Sequence, residues 1–382
     1  MMEYVTLELK LETPFVTYPD PLWPLRPGEI KERWQWWANA LVAGALFERG
    51  FLHGAAGEDT IKAPTQEEAD CISKIVGLDM GLGYAGRREE ARASCFRIRY
   101  KEENFAPFRD ITHSVASRFP ALRQLMRDDV GVWRDPFTLR YTESGSAKFV
   151  IDEHIPCNLD SQAREAALGA LALALRLSCF GWGGRRGLGC FSVKVYDWYS
   201  SLFNEDPKEL IKRVMSAVNA VVGRAISRCS GLRHREPTKR ELPPMPALNI
   251  TRRYDENLTP YMLITVRKVN WENLHNFFHQ FQPKSDSGDA FRETLKAWVI
   301  RGAPKKSSPL MLAVAGNNTA YLSVFTSADW PREAEVKWYK KPVAEGDVAN
   351  AVANAVREFV DYAKKLGGEV EIWPGETKRS LL

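Results

Sequence analysis

Residues 160–195 read DSQAREAALGALALALRLSCFGWGGRRGLGCFSVKV, and the order of signals within them decides the fold. Asp160 or Ser161 is placed to cap a helix, and the alanine- and leucine-rich run behind it predicts one over 160–180. A loop of glycines and arginines follows, and "CFSVKVYDW" (190–198) then alternates as a strand does. Upstream, "YVTLELKLE" (4–12), "SCFRIRYK" (94–101) and "KFVIDEHI" (148–155) read as strands. A helix is expected over 26–50, with Pro27 early and Gly50 at its end. The order is β-α-β-β-α-β.

The same order recurs downstream. "PYMLITVRKV" (260–269) is a strand, residues 271–300 carry helical segments, and "SSPLMLAVAG" and "AYLSVFTS" form a hairpin around Asn317–Asn318. "EGDVANAVANAVREFVDYAKKLG" (345–367) is a helix, and "GEVEIW" closes the copy. The fold class expected is therefore α+β, two ferredoxin-like (RRM-like, βαββαβ) domains with helical insertions. The first would span 1–200, with insertions near 51–92 and 102–147 and the glycine-rich loop at 181–189. A basic helical and Pro-rich linker would span 201–259, and the second domain 260–382.

Charge is unevenly spread. The whole chain is only +5, yet from Lys212 to Arg253 ten basic residues face only Glu236 and Glu241 within the segment. Such a block implies a polyanion or an acidic protein neighbour. "MMEYVTLELKLETPF" has no signal-peptide core, no apolar stretch is long enough to span a bilayer, and the six scattered cysteines form no CxxC pair. The expectation is a cytoplasmic protein, not membrane-bound, with reduced, buried thiols.

In the loop, glycine permits positive φ, successive N–H groups can form an anion nest, and Arg185 and Arg186 carry forks suited to phosphate. It closes a helix rather than opening one and lacks GxxxxGK[ST], which excludes a P-loop NTPase. A glycine C-cap with exposed, solvated arginines is the alternative reading. In "IKERWQWWANAL" (30–41), Ile30, Trp34, Trp37 and Leu41 share one face and read as core. Lys31, Gln35 and Asn39 make a polar stripe facing a ligand or water.

These motifs, in this order, resemble the RAMP superfamily of CRISPR proteins, and within it subunit one of the Cmr (type III-B) effector complex. The likeness rests on the Ile30–Lys31 helix with adjacent tryptophans, on "GGRRGLG" at 183–189, and on the basic-Ser-Pro segment "KKSSPLMLAV" at 305–314. Gln35 and Asn39 stand where that family tends to have arginine, and Glu32 where it has a small residue. The resemblance implies two ferredoxin-like domains and an RNA-binding role, with other Cmr/RAMP subunits, guide RNA and target RNA as partners. Guide RNA would be held toward its 3′ end, for antiviral RNA-guided interference. It assigns RNA-backbone contact to Gly183, Gly184, Arg185, Arg186, Gly187 and Gly189, with Lys31, Arg33, Lys305 and Lys306 in support.

No catalytic set is legible. The histidines are His53, His113, His154, His234, His275 and His279, of which His275 and His279 are an i, i+4 pair without the glutamate of HExxH. Neither a GGDD-like carboxylate pair nor GxSxG occurs. The expectation is a binder, not an enzyme, with no metal and no cofactor. The alternatives are a metal-independent RAMP endoribonuclease processing CRISPR RNA, and a structural adaptor docking other subunits through its basic segment.

Overall fold

The computed structural model describes residues 2–17, 24–86, 90–112, 115, 119, 139–153, 157–196, 199–236, 238, 240–255, 258–280, 290–303, 306–316, 318–336 and 339–374. His113, His154, Lys239, Lys305, Asn317, most of 102–147 and the side chain of His279 lie outside the described residues.

In the first half, strands β1 (Met2–Leu11), β3 (Phe96–Phe105), β6 (Gly145–Glu153) and β7 (Phe191–Val195) form one antiparallel sheet in the order β3-β6-β1-β7. Three short strands, β2 (Phe15–Thr17), β4 (Arg109–Asp110) and β5 (Arg140–Thr142), make a separate small sheet. Helix α1 (Pro27–Glu48) begins with proline at its first turn, where the missing N–H costs nothing. Helix α2 (Gln66–Lys74) sits in the first insertion. Helix α3 (Ser161–Leu177) is capped by Asp160, whose carboxylate accepts from the Ala163 amide at 2.7 Å. Helices α4 (Ser200–Asn204) and α5 (Pro207–Ala225) follow.

In the second half, β8 (Tyr261–Arg267), β9 (Leu310–Ala315), β10 (Thr319–Phe325) and β13 (Glu369–Trp373) form a second four-stranded antiparallel sheet, ordered β13-β8-β10-β9. Helices α6 (Trp271–Gln280), α7 (Ala290–Arg301) and α8 (Glu345–Lys365) accompany it, with a hairpin of β11 (Glu333–Val336) and β12 (Tyr339–Pro342). Numbered by chain order within each half, both large sheets run second-third-first-fourth.

The two sheets differ in what their faces touch, and the sequence pattern says why. In β1, Val5, Leu7, Leu9 and Leu11 are buried while Glu8 and Lys10 between them are not, as a half-solvated sheet requires. Strand β8 is buried throughout from Tyr261 to Val266. Its Met262, Ile264 and Val266 pack with α6, α7 and α8, while Tyr261 and Leu263 join the core of the first half. The layers therefore run sheet, helices, sheet, helices, with α1 and α3 between the two sheets.

Aromatic rings form the seam. Trp36 meets Phe325 edge-on at 5.0 Å between ring centroids, and Trp37 meets Phe325 at 5.6 Å. The tryptophans are core, as their spacing predicts: Trp34 donates to the Ala167 carbonyl at 2.6 Å and Trp37 to Ser178 Oγ at 2.7 Å. Helix α5 buries Leu210, Ile211, Val214 and Val218 in the same core, so the stretch between the halves is not a free tether.

One expectation is overturned. The six cysteines are not reduced thiols but three disulfides, Cys71–Cys229, Cys95–Cys157 and Cys179–Cys190. The first two partners lie 158 and 62 residues apart, so only the tertiary fold brings them together and no local motif announces it. The linear charge count also misled. Arg224 pairs with Asp160 at 2.8 Å, Arg228 with Asp79, Arg213 with Glu165 and Glu205, and Lys212 with Glu209. All these carboxylates come from outside the basic segment and neutralise much of it.

Candidate nucleic-acid interface

The 181–189 loop leaves the end of α3 and lies on the edge of the second sheet. Residue Arg186 forms a parallel bridge with Leu312 of β9, and the Leu312 amide donates to the Arg185 carbonyl at 2.9 Å. Gly183, Gly187 and Gly189 have φ of 80°, 84° and 69°. Gly189 is the most constrained, since a Cβ there would stand 2.1 Å from the Phe180 carbonyl oxygen. Gly184 has no positive φ; its need is close approach, because a Cβ would lie 2.5 Å from the Cys179 oxygen.

The loop amides are largely committed. Trp182 donates to Val16 O, Arg186 to Gly183 O and Gly189 to Pro14 O, each at 2.8–2.9 Å, and Gly184 and Leu188 make longer turn bonds. The positive charge of the loop lies in its guanidinium groups rather than in an N–H nest.

Those groups are not the exposed, solvated pair of the alternative, C-cap reading. Both are half-buried. Arg185 donates to the Ser308 carbonyl at 2.9 Å and lies over the Trp36 ring, 5.5 Å from its centroid. Arg186 donates to the Arg301 carbonyl at 3.1 Å. Burial pushes both down to about 10, with neighbouring Arg33 adding to the effect on Arg185 and Arg301 to that on Arg186. Each stays charged at neutral pH, and an arriving anion would relieve the repulsion.

Arg33 stands one helical turn from Trp36 and so on the same side of α1. Burial lowers its pKa, opposed by Glu32 and Glu29. From the second half, Lys306 reaches the same place: it pairs with Asp329, lies 5.8 Å from the Trp330 centroid, and is depressed mainly by burial, with Arg185 as a repelling neighbour. Three expected residues, Arg33, Arg185 and Lys306, thus converge from three distant segments. Arg186, next along the loop, reaches instead toward Arg301, whose carbonyl it meets and whose charge repels it. Lys31 does not join the three, because it lies two residues and about 200° from Arg33. It shares the side of Gln35, whose amide donates to the Leu82 carbonyl at 3.2 Å, and Gln35 and Asn39 line a separate polar cleft of about 870 Å³ with Glu67, Asp70 and Glu90.

Sequence reading missed Asp329 and Arg301, which have no local signal and matter only through the seam; Ser308 lies in the basic-Ser-Pro segment, but the bond from Arg185 to its carbonyl was not foreseen. The same reading left His275 open as half of a histidine pair. In the structure His275 is fully buried and its Nδ1–H donates to the Arg186 carbonyl at 2.6 Å. Burial pushes it down to about 4. An unfolded imidazole titrates near 6.5, so between about pH 6.5 and 4 the unfolded chain binds a proton that the folded chain refuses. Stability is therefore expected to fall as pH falls through that window and to be level above it. Melting curves at pH 7.5 and 5.0 check this; His275→Asn, which keeps a side-chain N–H donor, should shrink the difference.

Two α+β halves of matching strand order, joined across a tryptophan seam with a cationic patch at its edge, define the architecture. The crystal structure of Cmr1 from Pyrococcus furiosus (apo form) has a similar fold, with a TM-score of 0.50 over 96% of this chain and 98% of that one at 14% identity. At that identity the likeness is one of fold, and in fold it agrees with the resemblance drawn from the sequence. Chains in two cryo-EM structures of the Type III-B Cmr-beta align at a TM-score of 0.49 over 94% of this chain and all of theirs, at 11% and 12% identity. One is bound to cognate target RNA; the other is bound to cognate target RNA and AMPPnP, in state 2, in the presence of ssDNA. No protein-family model matches the chain, and no curated protein matches it in sequence.

Proposed function

We propose that this chain is a non-catalytic RNA-binding subunit of a Cmr-type (type III-B) CRISPR ribonucleoprotein, built from two ferredoxin-like units. The observation that carries the reading is the convergence of Arg33, Arg185 and Lys306 at the seam, where Asp329 pairs with Lys306. Such a patch suits a phosphate backbone, which supplies the missing negative charge without sequence information. Guide RNA, held toward its 3′ end, and the target RNA paired to it are the polyanions, and other Cmr subunits are the protein partners. In this reading the loop glycines build the turn, and the side chains of Arg185, Arg186, Arg33 and Lys306 meet the phosphates.

The reading places the protein in the cytoplasm. Among the described residues no helix is long and apolar enough to cross a membrane. Three disulfides then ask for conditions in which intracellular disulfides persist, as they do in hyperthermophiles.

The test is incubation of the purified chain with end-labelled CRISPR repeat RNA and with unrelated single-stranded RNA, with and without EDTA. Binding of both without cleavage is expected. Cutting of repeat RNA at one site, lost in a histidine-to-alanine variant, would replace this reading with that of an endoribonuclease.

A further inference from the structure

We propose that the Cys179–Cys190 disulfide is a redox latch on the anion-binding seam: oxidised, it holds the 181–189 loop against β9 in the form that binds RNA, and reduced, it lets the loop lift. The proposal rests on the RNA-binding reading for its effect on RNA, but not for its effect on the seam.

The disulfide joins the two ends of the loop, eleven residues apart in sequence. It is also part of the contact between the halves. Cys179, Cys190, Ala313 and Val314 form a small buried cluster with Trp271 packed against it. Cys179 Sγ lies 3.5 Å from the Leu312 carbonyl oxygen, and the Val314 amide donates to Cys190 Sγ at 3.2 Å. Two residues along, the Leu312 amide holds the Arg185 carbonyl, and His275 holds that of Arg186. One covalent bond thus sets the width of a loop whose main chain is stitched to β9 and whose side chains carry the charge. The other two disulfides lie elsewhere: they tie α2 to the segment just after α5, and the residue before β3 to the segment after β6.

Chemically, a dithiol reductant opens the latch. Its thiolate attacks one sulfur, the S–S bond breaks, and a mixed disulfide forms. Its second thiol then displaces the protein sulfur, leaving two cysteine thiols and a cyclic oxidised reagent, two electrons having passed to the protein. Both cysteines are about 1% exposed, so attack waits until the loop leaves β9. Linkage makes the effect reciprocal: RNA that favours the latched loop must protect the disulfide by the same factor.

The experiment compares the wild-type chain with Cys179→Ser/Cys190→Ser, which keeps the other two disulfides. Amide hydrogen exchange at Leu312 and Val314 is expected to quicken about tenfold in the variant, and the Kd for a single-stranded oligouridine to rise about tenfold, with the far-UV circular dichroism unchanged. Unchanged exchange at both amides overturns the latch. If the oxidised wild type binds no oligouridine, the RNA-binding reading fails instead, and the latch stands or falls on the exchange alone. Should the double variant not fold, mild reduction of the wild type with dithiothreitol replaces it. Alkylated Cys179 and Cys190 are then mapped by mass spectrometry, and faster exchange in the fraction reduced at that pair supports the latch, while equal exchange overturns it.

Discussion

Replacing Arg33 and Arg185 together by alanine is expected to weaken binding of single-stranded RNA of any sequence by about tenfold at 0.15 M salt, and to flatten the log–log salt dependence by about 1.4, or about 0.7 per lost phosphate contact. The affinity loss should be the same for purine-rich and pyrimidine-rich RNA, since phosphates carry no sequence information. The stability effect separates this patch from an ordinary basic surface. Exposed arginines are expected to cost about 0.5 kcal/mol at most when removed. Arg185 is half-buried, bonded to the Ser308 carbonyl and laid over Trp36. Its loss leaves that carbonyl without a charged donor, at a cost of about 1–3 kcal/mol. Over 382 residues this corresponds to a melting point lower by about 1–4 °C. Arg185→Lys sharpens the test: it keeps the charge but not the planar fork, so the salt slope should return while the melting point does not. A double-alanine protein with the wild-type salt slope sinks the phosphate assignment.

The second large effect concerns Cys71–Cys229. This bridge ties α2, in the first insertion, to the end of the α5 region, across 158 residues of sequence. Closing so long a loop restricts the unfolded chain, by about 5 kcal/mol in the chain-entropy treatment. With an unfolding entropy of about 2.1 cal/mol/K per residue, Cys71→Ser/Cys229→Ser should melt about 6 °C below the wild type. Differential scanning calorimetry measures this directly. A shift within 1 °C would mean that the insertion is held by packing alone.

Much of the fold was legible because its signals are local. Alternation in β1, the continuous apolar run of β8, Pro27 and Asp160 at helix starts, and the glycine-rich end of α3 each speak within a few residues. The candidate site was legible residue by residue but not in its setting. Arg185 and Lys306 were singled out from charge and motif, yet the half-buried state of Arg185 depends on β9 arriving from more than a hundred residues away, and that of Lys306 on Asp329 and Trp330 beyond the next hairpin. The Cys71–Cys229 and Cys95–Cys157 disulfides, Asp329 and the role of His275 share that cause. Each is a relation between distant segments, and residue type alone does not encode it. The basic segment shows the reverse error, since a charge count along the chain cannot see Asp79, Asp160 and Glu165 arriving from elsewhere.

The layered seam has a consequence for biosynthesis. Helices α1 and α3 need Tyr261, Leu263, Met311 and Phe325 to cover their outer side. Those residues are translated after the first half is complete. About 100 residues separate the end of α5 from Phe325, roughly 5–20 s of elongation at 5–20 residues per second. Throughout that interval the nascent chain carries an uncovered apolar flank that includes Trp36 and Trp37. A ribosome-bound chain halted near residue 230 should therefore recruit holdase chaperones, and one released after Phe325 should shed them.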